Sequence, residues 1–117
     1  MKKYKINTHI YPQYMMLVYA DSTLEAFIKL GLDCDTNIES HVTLQDDRGR
    51  IFIIFTKEVG INAGIIAHEA CHAVYYMFKR LNIHHNADYS EDYCYMVQYL
   101  VNFITQKNNE NKTKITK

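Results

Sequence analysis

The chain has 117 residues, of which 48% are hydrophobic and 22% charged, and its 13 basic and 13 acidic side chains cancel to a formal net charge of zero. That is the size and balance of one globular domain with a modest core, and it leaves no basic excess for nucleic acid or an anionic membrane. No run is apolar for long enough to cross a bilayer, so neither nucleic acid nor a membrane is expected as a partner.

In chain order, Met1-Lys2-Lys3-Tyr4-Lys5 is basic, but His9, Pro12 and Gln13 break up the next stretch before any apolar run develops, so no signal peptide is expected. Residues 1–13 read as an irregular arm or an edge strand. Tyr14-Met15-Met16-Leu17-Val18-Tyr19 is a short apolar run and reads as a buried strand or the entry from a loop into one, rather than as a helix. Ser22-Thr23-Leu24-Glu25 has the form of a capping box, and Leu24, Phe27, Ile28 and Leu30 continue at helical spacing until Gly31 stops the helix. Residues 33–40 carry Asp33, Asp35, Thr36 and Asn37 and read as a connection. Residues 41–45 and 50–56 flank Asp46-Asp47-Arg48-Gly49, the pattern of a β-hairpin with Gly49 at the position that needs positive φ. Its second strand is apolar almost throughout, which predicts a central place in the sheet.

A long helix is predicted from Asn62 to about Leu81. At about 100° per residue, Ile66, Ala67, Ala70, Val74, Met77, Phe78 and Leu81 form one broad stripe, with His68, Glu69, His72, Lys79 and Arg80 on the opposite side. Residues 82–87 are a polar break, with His84-His85 a solvated pair near the helix end. A last helix starts near Asp88 or Ser90 and runs to about Gln106, with Tyr93, Met96, Val97, Leu100, Val101 and Ile104 inward and Glu91, Tyr95, Gln98 and Asn102 outward. The domain is therefore expected to span 1–106, and the polar segment 107–117 to fray. Together these elements predict a compact α+β fold: a small antiparallel sheet containing the 41–56 hairpin, with the long helix and the C-terminal helix packed on it.

The chemistry concentrates in His68-Glu69-Ala70-Cys71-His72. On a helix the two histidines stand one turn apart on one face, where both rings can reach one metal ion, and a satisfied core histidine is a poor account of a pair facing away from the core. A catalytic zinc site needs three protein ligands and an open position; such an ion lowers the pKa of water to about 7, and Glu69 is placed as the base. The third ligand has to come from elsewhere. A His-Glu-x-x-His-x-x-Gly-x-x-His continuation is excluded because Tyr75 and Phe78 occupy the positions concerned. Glu91, with eighteen residues between it and His72, is the best candidate; it also ends a capping-box-like Asp88-Tyr89-Ser90-Glu91, where the helix dipole alone favours a carboxylate. Asp92, Asp88, His84 and His85 are the alternatives.

His68-Glu69-Ala70-Cys71-His72 followed by Tyr89-Ser90-Glu91-Asp92-Tyr93-Cys94-Tyr95 resembles the gluzincin arrangement of zinc metallopeptidases. More closely, residues 40–105 resemble a family of small phage-encoded metallopeptidases that pair a His-Glu-Ala-x-His helix with a later Asn-Glu-x-x-Ala-Tyr helix start. Here Ser90 stands where that family commonly has Asn, and Cys94 where it has Ala. The resemblance implies a minimal zincin-like domain, zinc held by His68, His72 and Glu91, Glu69 as general base, a peptide or protein substrate, and a place in the cytoplasm of a bacterial host.

Other residues are read two ways. Tyr95 lies one turn after Glu91, where its hydroxyl could stabilise an oxyanion, or it is an ordinary half-buried aromatic. Three cysteines, Cys34, Cys71 and Cys94, are odd in number and irregular in spacing, which suggests a reducing cytoplasm and no disulfide framework. Cys71 and Cys94 are expected to pack as small buried residues. A substrate is expected to lie extended against the edge of the 41–56 hairpin in a shallow groove. The competing readings are a zinc-binding domain without turnover that acts in protein–protein interaction, and a metal-free interaction module.

Overall fold

The computed structural model describes residues 1–33, 41–57, 60–83 and 90–115, the last four by backbone alone. Its elements are β1 (Lys2–Lys5), β2 (Met15–Ala20), α1 (Thr23–Leu30), β3 (Val42–Gln45), β4 (Ile51–Thr56), α2 (Ala63–Arg80) and α3 (Ser90–Ile115). Cys34, His84, His85, Asp88 and Tyr89, with the 34–40 connection, lie outside the described residues.

The fold is α+β, with one four-stranded sheet ordered β1-β2-β4-β3. The expected antiparallel sheet is mixed: β1–β2 and β3–β4 are antiparallel, but β2 and β4 run parallel, Leu17 opposite Ile53. The reason is burial. All six residues of β4 are buried, so it takes a central place. Its hairpin partner β3, with a partly exposed face, is left at the edge. With α1 as the crossover, that order sets β4 beside β2 in the same direction.

Alternation along the two central strands divides the core. Met15, Leu17, Ile51, Ile53 and Phe55 pack under α2 and α3, while Val18, Ala20, Phe52 and Ile54 pack under Ala26 and Phe27 of α1. Local signals behave as read. Ser22 caps α1 by accepting from the Glu25 N–H, and Gly31 ends it in the left-handed region at φ 69°. Gly49 sits at φ 79° in the hairpin turn, where its carbonyl accepts from Gln13 Nε2. Arg80 in turn donates to Gln13 Oε1 and to the Pro12 carbonyl, fixing the end of α2 to the 12–13 segment.

The largest departure is α3. The segment expected to fray from Lys107 is helical as far as Ile115. Its inward stripe continues from Met96, Leu100 and Ile104 into Asn108 and Asn111, both 8% exposed. Asn111 Oδ1 accepts from Tyr4 Oη at 3.0 Å and from Lys2 Nζ at 3.3 Å, and the Lys107 ammonium lies over the Tyr4 ring. Polar side chains can continue a buried stripe when β1 supplies their partners. No helix among the described residues is long and apolar enough to cross a membrane.

Candidate metal centre

The helix that carries the motif begins at Asn62, whose side chain accepts from the Ile65 N–H at 2.9 Å, and it ends as Asn82 turns into the left-handed region at φ 59°. Between these caps Ile66, Ala70, Ala73, Val74, Met77 and Phe78 are buried against the sheet and α3. Burying that stripe turns His68 and His72 outward, and both are exposed.

The two rings converge. Nε2 of His68 and Nε2 of His72 are 3.2 Å apart, with the ring planes at 78°. Two nitrogens held about 2.0–2.1 Å from one tetrahedral zinc stand about 3.3 Å apart, so the pair already has the bite such an ion requires. The same spacing serves one N–H···N hydrogen bond between neutral rings when the tautomers are complementary. Tyr76 lies one turn on, its ring nearly parallel to that of His72 at 6.3 Å.

Glu69 departs from the helical-wheel reading, which puts it on the open face. It is only 6% exposed because β3 crosses over it. The hydroxyl of Thr43 lies 2.8 Å from Glu69 Oε1 and 3.2 Å from the Glu69 carbonyl oxygen. The other carboxylate oxygen, Oε2, is directed to His68 and stands 3.9 Å from its Nε2. One oxygen is thus anchored and the other faces His68. Thr43→Val keeps the shape but removes the donor from a buried carboxylate; it is expected to lower stability by about 1–3 kcal/mol, read as a reduced urea midpoint.

Glu91 is exposed on the first turn of α3, and Tyr95, 64% exposed, follows one turn later. Neither makes a hydrogen bond or ring contact with the two histidines among the described residues, and no third His, Cys, Asp or Glu there completes a metal-holding group with them. Asp92 is on the side of Tyr11, whose phenol is raised by burial first and by the Asp92 carboxylate second. The start of α3 is nevertheless docked beside the motif. Tyr93 donates to the carbonyl of Cys71 at 3.0 Å and packs edge-on against Phe78. Burial pushes the Tyr93 phenol up, with Cys71 the next contributor, so it is a neutral donor at ordinary pH.

Cys71 and Cys94 are exposed free thiols, not the buried packing residues expected of them. Tyr93, sharing the space between α2 and α3, reaches the backbone of Cys71 and leaves the sulfur outside. Thr43 and Tyr93 are neighbours of the motif that sequence reasoning did not single out for the site. For Thr43 no local signal stands out, because Gln45 shares its face of β3 and a hydroxyl there reads as one more polar edge position.

Comparison of the chain with protein-family models, with curated proteins and with solved structures finds no match.

Proposed function

We propose that the chain is a zinc-dependent metallopeptidase in which His68, His72 and Glu91 hold the metal and Glu69 is the general base. The observation that carries this reading is the 3.2 Å approach of the two Nε2 atoms on an exposed turn, with an anchored carboxylate beside them. When bound, zinc supplies Lewis acidity and water with a pKa of about 7.

The rest is work for the chain's own side chains. Glu69, tied through Oε1 to Thr43, keeps Oε2 free to take a proton from the attacking water and return it to the leaving amine nitrogen. Tyr95 is the proposed hydroxyl donor to the oxyanion formed as water oxygen adds to the peptide carbonyl. β3 is an edge strand lying against α2 at Glu69, so an extended peptide added along it would pass the site. Main-chain pairing of that kind carries little sequence preference. The free thiols accord with a reducing cytoplasm, which is part of the proposal.

Metal content tests the ligand set. Protein purified without chelator is expected to carry one zinc per chain, and Glu91→Ala to bind it more than about 100-fold more weakly, beyond the loss typical of an outer-shell partner. Full zinc in the variant would move the third ligand to Asp92, Asp88, His84 or His85. No zinc in the wild type, even after zinc is added back, would end the enzyme reading. A second reading is a zinc-binding domain without turnover that engages a protein partner. It is favoured by the burial of Glu69 and its bond to Thr43, which a purely structural carboxylate would share.

A further inference from the structure

The free edge of β3 has a fixed hydrogen-bonding pattern. The Asp46 N–H donates to the Arg50 carbonyl, so Asp46 and Arg50 form a hydrogen-bonded pair of the hairpin. Such pairs alternate along an antiparallel ladder, which directs Leu44 and Val42 to β4 and turns the backbone N–H and C=O of Gln45 and Thr43 to the open edge. The side chains of these two residues share the face that carries α2. An extended peptide added along β3 therefore bonds at Thr43 and Gln45, and the side chains it sets opposite them point to α2 as well.

Two contacts fix which part of α2 those side chains meet. Glu69 is bonded to Thr43, and Arg80 lies against Gly49, where a Cβ would stand 2.8 Å from Arg80 Cδ and 4.0 Å from Gln45 Nε2. α2 and β3 thus run in the same direction, with Glu69 and Arg80 on the flank that faces the hairpin. Tyr76 stands two turns after Glu69 and one before Arg80, which puts it on that flank too.

Tyr76 is about 10 Å along the helix from Glu69 and its side chain leans back toward the helix N-terminus, while Gln45 is about 7 Å along from Thr43. The ring therefore comes level with Gln45. It is half-buried, packed on the core around α2 and nearly parallel to the ring of His72. An aromatic ring held in this way is a fixed platform beside the histidines.

Resting on the metallopeptidase reading, we propose that Tyr76 is a specificity-determining residue. The site takes an extended peptide with an aromatic side chain on the residue opposite Gln45, two positions from the residue opposite Thr43, where Glu69 and the histidines meet the bond to be cut. Main-chain pairing supplies the position and Tyr76 the choice. Tyr75, 51% exposed, is next in the chain but points about 100° away around the helix, under the Lys79 ammonium, and has no part in it.

The test uses the ¹⁵N-labelled Glu69→Gln chain, which leaves substrate intact, and two blocked alanine–threonine heptapeptides that differ only in a central Phe or Ala. Saturable shifts of the Thr43 and Gln45 amides are expected with both, the Phe peptide binding about fivefold more tightly, the scale of one aromatic pair. Adding Tyr76→Ala, checked to keep a dispersed spectrum, is expected to make the two equal, while Tyr76→Phe and Tyr75→Ala keep the preference. Three results would overturn the proposal: equal affinity for the two peptides before Tyr76 is changed; a preference that survives Tyr76→Ala; or Thr43 and Gln45 shifts that follow protein concentration without peptide, which gives the edge to a second copy of the chain. Mapping the cuts that the wild type makes in an unfolded protein separates the subsite from the peptidase reading. Cuts with no aromatic enriched two positions away would end the subsite and leave the peptidase. The Phe preference in binding, without any cut by the wild type, would keep the subsite and end the peptidase.

Discussion

Glu69→Gln is expected to retain zinc and to lose about 10²–10⁴-fold in peptide-bond hydrolysis, the usual contribution of a positioned base. Glutamine keeps the length and an oxygen that accepts from Thr43, so the bond between α2 and β3 survives the change. What it cannot do is accept a proton. The measurement is cleavage of an unfolded protein substrate together with zinc content on the same preparation. Undiminished cleavage in the variant would remove Glu69 from the mechanism. Zinc bound equally by both proteins with no cleavage by either would favour the non-catalytic domain.

Ile53→Ala is expected to cost about 2–5 kcal/mol, a large part of the roughly 5–15 kcal/mol that holds a small domain together. Ile53 is fully buried at the centre of β4, paired with Leu17 on one side and Thr43 on the other, on the face that carries α2. Neighbours held by hydrogen-bonded ladders on both sides collapse poorly into the vacated space. Urea denaturation reads the loss as a lower midpoint. Leu24→Ala, at an exposed position of α1, is the matched control and should stay within about 0.5 kcal/mol of wild type.

Whatever depended on neighbours in sequence was legible before the structure. The Ser22 cap, the Gly31 stop, the Gly49 turn and the pairing of His68 with His72 are each settled within a few residues. Features set by distant partners were not. The parallel pairing of β2 with β4 joins segments separated by α1 and β3, and nothing local to either strand encodes it. The inward turn of Asn108 and Asn111 looks like a polar tail until Tyr4 and Lys2 are seen beside Asn111. Glu69 lies opposite the apolar stripe on a helical wheel, yet the wheel carries no information about β3 passing over it. The outward histidines and the buried carboxylate between them and Thr43 are thus one half local pattern and one half tertiary arrangement.

The bond from Tyr4 to Asn111 spans 107 residues of chain, and that from Lys2 to Asn111 spans 109. Closing so long a loop carries an entropic cost that grows with its length, whereas the β3–β4 hairpin closes locally. Folding should therefore proceed outward from the hairpin and α2, with β1 and the end of α3 locking together as a late, cooperative clasp. The same clasp is the first to release. Amides in β1 are thereby set to exchange with solvent through a sub-global opening, while those of β4 wait for the whole domain to come apart.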